Sequence, residues 1–414
     1  MSSYTNRKGE SIEVSPEHLD VALSIYEELS NLSPSKRVSW ARHKRMMLEE
    51  GFDDSESSEY YRQMIKHERK RRGTLPTKDT FADIVVSNKI SAVKSAIGEI
   101  KEAQLESQAD FNKLNRMKKE WTKDIIFVES LERELEKVDW ESLSTTEYKP
   151  LATDDVPKKY MIACLSDLHY GARVNVEGYT YNTHVFAELL DVYLDKILYE
   201  CEKNNVEDVY VIGLGDYIEH ITMRMTQGFD AELNYSEQVV QVTEHIIRFL
   251  SSLSQFVNVE YSAILGNHDR FEGNKNDSVY GDGAVILSNK IIDTFVKYSD
   301  SNITFTETEP YHHIVSVSGR NFLFVHGDKT AISRKGILGE QSSLYGVIFD
   351  ALFAGHIHHF TMREVGDDKY ITTFGSFKGS DEYSLKTIGS NTSRSQGIIL
   401  VDQDGNYEIK QIKL

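Results

Sequence analysis

The sequence predicts an α/β domain preceded by an all-α N-terminal region, and three observations carry that prediction. Short, continuous apolar runs recur at Tyr160–Leu165, Val209–Leu214, Val259–Leu265, Phe322–Val325 and Ala351–Ala354. Runs of that length without polar alternation read as strands buried on both faces. Amphipathic stretches such as Val185–Glu200 and Ser236–Leu253 lie between some of them, an alternation that argues for helices laid against a sheet. Ahead of residue 144 the apolar residues recur at helical spacing instead.

The N-terminal elements follow from local signals. Ser15-Pro16-Glu17 offers a capping hydroxyl, a first-turn proline and an acid at the positive helix end, and Leu19, Ala22, Leu23, Tyr26 and Leu29 form one apolar face. A second helix is expected from Ser35 to Glu50, with Gly51 as its stop, and a third from about Asp54 to Arg72. Three short helices in tandem fit a helix-turn-helix unit. Val86, Ile90, Val93, Ile97 and Ile100, then Leu114, Trp121, Ile125, Val128, Leu135 and Val138, continue at a period near 3.5. That pattern fits either a helical hairpin packed on the next domain or a coiled-coil homodimer. The Thr- and Asp-rich stretch with Pro150 and Pro157 reads as a linker. The expected units are therefore 1–80, 81–143, a linker at 144–157, and an α/β domain at 158–414.

Composition bounds the partners. The chain has 414 residues, 40% of them hydrophobic, enough for a sizeable core, and a formal net charge of -18. Such a chain is repelled by polyanions, so any nucleic-acid contact needs a local basic patch or bound cations. Two cysteines, Cys164 and Cys201, cannot build a disulfide framework, which fits a reducing compartment. Met1–Glu10 lacks a signal-peptide core, and no apolar run approaches spanning length. The expectation is a soluble cytoplasmic protein with no membrane partner.

The chemistry lies at the ends of the apolar runs. There stand Ser166-Asp167-Leu168-His169, Gly213-Leu214-Gly215-Asp216, Leu265-Gly266-Asn267-His268-Asp269, Val325-His326-Gly327-Asp328 and Gly355-His356-Ile357-His358. Ligands gather beyond the carboxyl ends of strands in α/β sheets, so polar residues repeated there point at one site. Asp, Asn and His without thiolate suit Mn, Fe, Zn or Mg. Strand-like spacing within Asp-x-His and His-x-His would put both side chains on one face. A carboxylate can bridge two cations about 3.5–4 Å apart, which lowers the pKa of a bound water and clamps phosphoryl oxygens.

This ordered set resembles the calcineurin-like metallophosphoesterases over roughly residues 160 to 414. The resemblance implies a four-layer α/β/β/α sandwich. It implies that Asp167, His169 and His358 hold one metal, that Asn267, His326 and His356 hold another, and that Asp216 bridges them. It implies that His268 sits beside the scissile phosphate as a catalytic group, with Asp269 orienting its ring. The nearest branch is that of the DNA-repair exonucleases. There a further histidine follows the bridging aspartate by three residues, whereas this sequence has Glu219 at that place and His220 one step later. A loop insertion would still bring His220 to the phosphate. Two divalent ions are expected, Mn(II) first, with Fe, Zn or Mg as the others.

The substrate has to be read from the N-terminal region. Lys66 to Arg72 reads Lys-His-Glu-Arg-Lys-Arg-Arg, on a helix that also presents Arg62. This resembles the helix-turn-helix-like segment ahead of the phosphoesterase domain in some bacteriophage proteins. It makes Arg62, Lys66, Arg69, Lys70, Arg71 and Arg72 candidate nucleic-acid contacts. The first expectation is thus a nuclease that hydrolyses DNA phosphodiesters with a metal-activated hydroxide, working in the host cytoplasm if phage-encoded. The alternatives are a phosphodiesterase or phosphatase on nucleotides or phosphoproteins, and a non-catalytic DNA-binding or scaffold protein with a vestigial metal site. Tyr370 to Gln396, with Asp381, is expected at the rim of the site without assigned roles.

Overall fold

The structure is a computed structural model that describes residues 2–5, 11–32, 38–52, 58–74, 122, 125–144, 147–176, 178–221, 231–273, 279–381, 384–385 and 391–414. Strands β1 (Ser2–Thr5) and β2 (Ser11–Val14), and β4 (Val174–Val176) and β5 (Tyr179–Tyr181), form two small antiparallel pairs. The apolar runs become strands β3 (Lys159–Leu165), β6 (Val206–Gly213), β7 (Asn258–Ala263), β10 (Arg320–Val325) and β11 (Ala351–Ala354). They fall into two sheets. β3, β6, β7 and β8 (Ile303–Phe305) are parallel, extended antiparallel by β14 (Ser395–Val401) and β15 (Tyr407–Lys413), in the order β15-β14-β3-β6-β7-β8. The second sheet runs β12-β13-β11-β10-β9. Its edges β12 (Thr361–Gly366) and β9 (His312–Val317) lie antiparallel to their neighbours, and β13 (Lys369–Thr373), β11 and β10 are parallel.

Period-two alternation decides which side chain meets which layer. From β3, Met161, Ala163 and Leu165 join a core with the large helices Thr183–Lys203, Tyr235–Leu253 and Ala284–Tyr298. Ile162 and Cys164 point the other way, into a second core shared with Phe322, Phe324, Phe353 and Phe374 of the opposing sheet. Leu323, Val325, Leu352 and Ala354 then pack under Ile337 and Leu338 of helix Ile337–Tyr345. Helix, sheet, sheet, helix is the four-layer sandwich that the resemblance implies. Helix Tyr235–Leu253 starts at a capping box, in which the Asn234 side chain accepts from Glu237 N while the Glu237 side chain accepts from Asn234 N.

The N-terminal region forms its own small core. Helices α1 (Pro16–Leu32), α2 (Trp40–Glu49) and α3 (Ser58–Arg71) bury Leu19, Ala22, Leu29, Met47, Tyr61 and Ile65 together. α2 begins at Trp40, capped by Ser39, rather than at Ser35. The antiparallel pair Ser2–Thr5 and Ser11–Val14 precedes the helices, which the sequence reading omitted. Most of the period-3.5 segment, Val86 to Trp121, lies outside the described residues. Its continuation over 125–137 is helical, and Val128, Leu131, Leu135 and Val138 join the main core. Residues of the expected linker pair with the loop after Tyr235–Leu253: Lys149 N donates to Gln255 O and Leu151 N to Phe256 O.

α3 docks on the larger domain through its cations. The Arg62 guanidinium donates to the Ile303 carbonyl at 2.5 Å, and Lys66 Nζ donates to the Val296 carbonyl at 2.5 Å. Val296 lies in the last turn of Ala284–Tyr298, where unpaired carbonyls and the helix dipole both attract a cation. Ile303 opens β8, so the docking sits at the amino-terminal end of the parallel strands, opposite the motifs. Arg62→Ala should lower the unfolding free energy by about 1–3 kcal/mol by stranding a buried carbonyl. A urea melt of the full chain checks this; an unchanged midpoint would remove Arg62 from the interface.

Candidate metal centre

The five motifs converge beyond the carboxyl ends of β3, β6, β7, β10 and β11. Backbone bonds join the first two loops, with Asp167 N donating to Gly215 O at 3.2 Å and His169 N to Asp216 O at 2.9 Å. Asp269 locks the next pair. Its carboxylate accepts from Asp216 N at 2.7 Å, Tyr217 N at 2.9 Å and Gly266 N at 2.7 Å. Gly355 is required where the fifth loop crosses the first, since a Cβ there would clash with Ser166 Oγ and stand 2.5 Å from Asp167 Oδ2.

The ligand positions are not extended, contrary to the strand-like reading of Asp-x-His and His-x-His. Asp167, His169, Asp216, His356 and His358 have φ of 52°, 48°, 54°, 67° and 56°. A left-handed non-glycine residue costs about 1–2 kcal/mol. Left-handed turns, rather than pleat alternation, bring these side chains to one point. Strain of this kind persists where the surroundings over-determine it, and it clusters at functional sites.

Two donor cages result. In the first, atoms of Asp167, His169 and His358 lie within 4.8 Å of one another, and in the second those of Asp216, His326 and His356 do. His169 Nε2 is 3.1 Å from His358 Nε2, which is 3.3 Å from Asp167 Oδ1. Asp216 Oδ2 stands 3.9 Å from His169 Nε2 and 3.3 Å from His326 Nε2, so it faces both cages. Asn267 Oδ1 is 3.1 Å from His326 Nε2. Metal–nitrogen bonds of about 2.0–2.1 Å place neighbouring donors roughly 3 Å apart, the spacing seen here. The ring tautomers agree with this use. His326 Nδ1 donates to the Leu214 carbonyl at 2.7 Å, and His169 Nδ1 lies 2.8 Å from Glu219 Oε2, so each ring offers Nε2 to its cage. Burial alone would raise the Asp167 carboxyl, yet the neighbouring His358 and His326 hold it down to about 2. The donor set therefore fits two divalent cations.

His268 stands at the cavity wall, its ring 4.6 Å from that of His169. With His169 and Asp216 it forms a third group within 4.8 Å. Its Nδ1 donates to the Glu219 carbonyl at 2.7 Å. That contact corrects the role expected of Asp269: a main-chain carbonyl orients the ring, and the Asp269 oxygens hold backbone amides instead. Burial and the Asp216 charge push the Asp269 carboxyl up to about 7. His220 is also relocated. It is 1% exposed, its ring lies edge-on to Tyr235 at 5.4 Å, and burial pushes it down to about 4. It is not among the residues lining the cavity.

The six N-terminal cations are not brought to this site. Arg62 and Lys66 are buried in the docking contact, because backbone carbonyls at the far end of the sheet need donors. Arg69 donates to Tyr26 Oη at 2.6 Å, Lys70 faces Asp300 at 3.8 Å, and Arg71 and Arg72 both bond Glu68.

No protein-family model matches the sequence. A curated relative, the SPbeta prophage-derived uncharacterized protein YonJ of Bacillus subtilis (strain 168), is 23% identical over 302 residues, spanning 69% of this chain and 71% of its own length. The chain is similar to the structure of Vps29 complexed with zinc from Entamoeba histolytica, at 13% identity, over 61% of this chain and 98% of that one, with a TM-score of 0.29. It is also similar to a dimetal phosphatase from Danio rerio, at 11% identity, over 62% of this chain and 99% of that one, with a TM-score of 0.29. The chemistry of the site is accordingly read from this chain's own side chains.

The cavity also contains residues that the sequence reading left without a role. Glu219, Lys378, Asp381, Ser384 and Thr392 line it beside the ligand positions. Lys378 is 5% exposed, and its Nζ lies 3.3 Å from Glu219 Oε2 and 2.9 Å from Asp381 Oδ2. A lone lysine in a Gly- and Ser-rich stretch gives no periodic signal; Glu219 was legible only as a departure from the expected histidine. Because Asp269 supports loops, Asp269→Asn should lower the stability of metal-free protein by about 1–3 kcal/mol. Denaturant unfolding measures it, and a loss of turnover with no loss of stability would return Asp269 to the orienting role.

Proposed function

We propose that the chain is a dinuclear-metal phosphoesterase that cleaves phosphodiesters, with DNA as substrate. The carrying observation is the pair of donor cages facing one shared carboxylate, Asp216, inside a single cavity that His268 also lines. Asp167, His169 and His358 would hold one cation, Asn267, His326 and His356 the other, and Asp216 both. Bound there, two divalent ions, Mn(II) by our reading, supply a nucleophile at neutral pH and offset charge on the phosphoryl oxygens.

The chain's own groups do the rest. His268 spends Nδ1 on the Glu219 carbonyl, so Nε2 is left to meet the leaving oxygen or the charged transition state. The cavity wall favours a diester over a monoester. Glu219 and Asp381 line it, and Lys378, the one lysine lining it among the described residues, is already shared between them. A singly charged diester is repelled less by that wall than a dianion is. The prophage origin of the matched relative supports a phage-encoded chain working in a host cell; among the described residues no helix is long and apolar enough to cross a membrane.

The N-terminal helices lie at the opposite end of the sheet, so their part would be recruitment of DNA and not its presentation to the cavity. Lys70 and Arg71 of α3 and Arg72 just after it are exposed, and, paired at one side with Asp300 and Glu68, they are the cations proposed for this. Replacing those three by alanine should weaken DNA affinity and flatten its salt dependence, with turnover of a small diester retained. Identical binding isotherms across a salt series would leave α3 without this role.

The reading is tested on a panel of linear duplex, circular single strand, RNA, a dinucleotide and chromogenic mono- and diesters. Chelator should abolish cleavage, and Mn(II) should restore it on diesters. His268→Ala should keep its metal and lose about 10²–10⁴-fold in kcat. Full activity in excess chelator, or His268→Ala at wild-type rate, would refute the mechanism.

A further inference from the structure

The two cages are backed differently. Behind His326 stands a neutral group, the Leu214 carbonyl, 2.7 Å from Nδ1. Behind His169 stands a carboxylate, Glu219, 2.8 Å from Nδ1. A carboxylate on the far nitrogen fixes the tautomer and makes Nε2 a stronger donor than a carbonyl does. Glu219 is itself largely withdrawn from water, its side chain 13% exposed, and burial disfavours its charge. What offsets that cost first is Lys378, whose side chain is 7% exposed and 3.3 Å from Glu219 Oε2.

Lys378 is held in turn. Asp381 Oδ2 is 2.9 Å from its Nζ, and Asp381 Oδ1 accepts from Ser384 N at 2.7 Å. One residue before it, Phe377 N donates to the carbonyl of Asp167 at 3.2 Å, so the lysine loop is tied to a ligand residue of the same cage. Buried charge pairs add little to stability on balance. A chain Asp381–Lys378–Glu219–His169 ending on one cage is better explained by what it aims.

We infer that Lys378, braced by Asp381, is a positioning residue that holds Glu219 on His169 Nδ1 and makes the Asp167–His169–His358 position the tighter of the two cation sites. The inference rests on the two-cation reading of the cavity. It concerns a division of labour between the sites: one is retained, and the other exchanges with the medium.

The test is calorimetric titration of the metal-free full chain with Mn(II) alone. Wild type should show two steps. Glu219→Gln and Lys378→Met should each weaken the tighter step by about 10–100-fold and leave the weaker step within about twofold. Asp381→Asn keeps both Lys378 and Glu219, is the milder change, and should weaken the same step by a smaller factor. If circular dichroism shows Lys378→Met unfolded, Asp381→Asn and Glu219→Gln decide. Two wild-type steps that none of the variants alters, or that all weaken equally, would overturn the positioning role and leave the phosphoesterase reading standing. No uptake of Mn(II) by wild type would overturn both.

Discussion

Everything at the site depends on burying negative charge where several loops meet. Asp167, Asp216 and Asp269 are all at or below 2% exposure. Three carboxylates cannot share such a volume unless each is answered. Asp269 is answered by three backbone amides from two loops, and this crosslinks them. Asp167 accepts from His356 N at 3.0 Å, which ties the fifth loop to the first. Asp216 accepts from His268 N at 2.6 Å. The remaining charge points into the cavity, where imidazole nitrogens also converge, and cations are what such a surface binds.

The left-handed backbone at the ligand positions follows from the same constraint. An extended loop would send Asp167 and His169 along the strand direction. Turned to positive φ, they double back over the sheet edge toward Asp216. The strain is sustained by the sheets below, whose Phe322, Phe324, Phe353 and Phe374 leave little room for relaxation. The geometry of the donor set is thus imposed by packing, and cations would occupy a frame already set.

The parallel sheet also separates roles by its two ends. Its carboxyl end gathers the ligands, and its amino end receives α3. The same chemistry, a cation meeting main-chain carbonyls or carboxylates, serves both places with opposite outcomes. At the amino end Arg62 and Lys66 saturate carbonyls and become structural. At the carboxyl end Lys378 is wedged between acids in the cavity wall.

By itself the sequence determined the local parts. Continuous apolar runs dictated the five strands after which the motifs stand, since burial on both faces leaves no other reading of Val209–Gly213 or Ala351–Ala354. It also determined the order of Asp, Asn and His beyond them, because each motif is a few adjacent residues. Tertiary structure alone decided what those residues touch. Arg62 and Lys66 counted as free charge until carbonyls from residues more than 200 positions away became their partners. Asp269 looked like a partner for its neighbour His268, but three amides outbid a single ring nitrogen. His220 sat one step from an expected position, and one step in a loop was enough to bury it against Tyr235. Lys378, Glu219 and Asp381 carry no shared pattern in the chain. They become one unit only where the loop after β6 meets the loop after β13, because an ion pair depends on distance in space and leaves no periodicity in sequence.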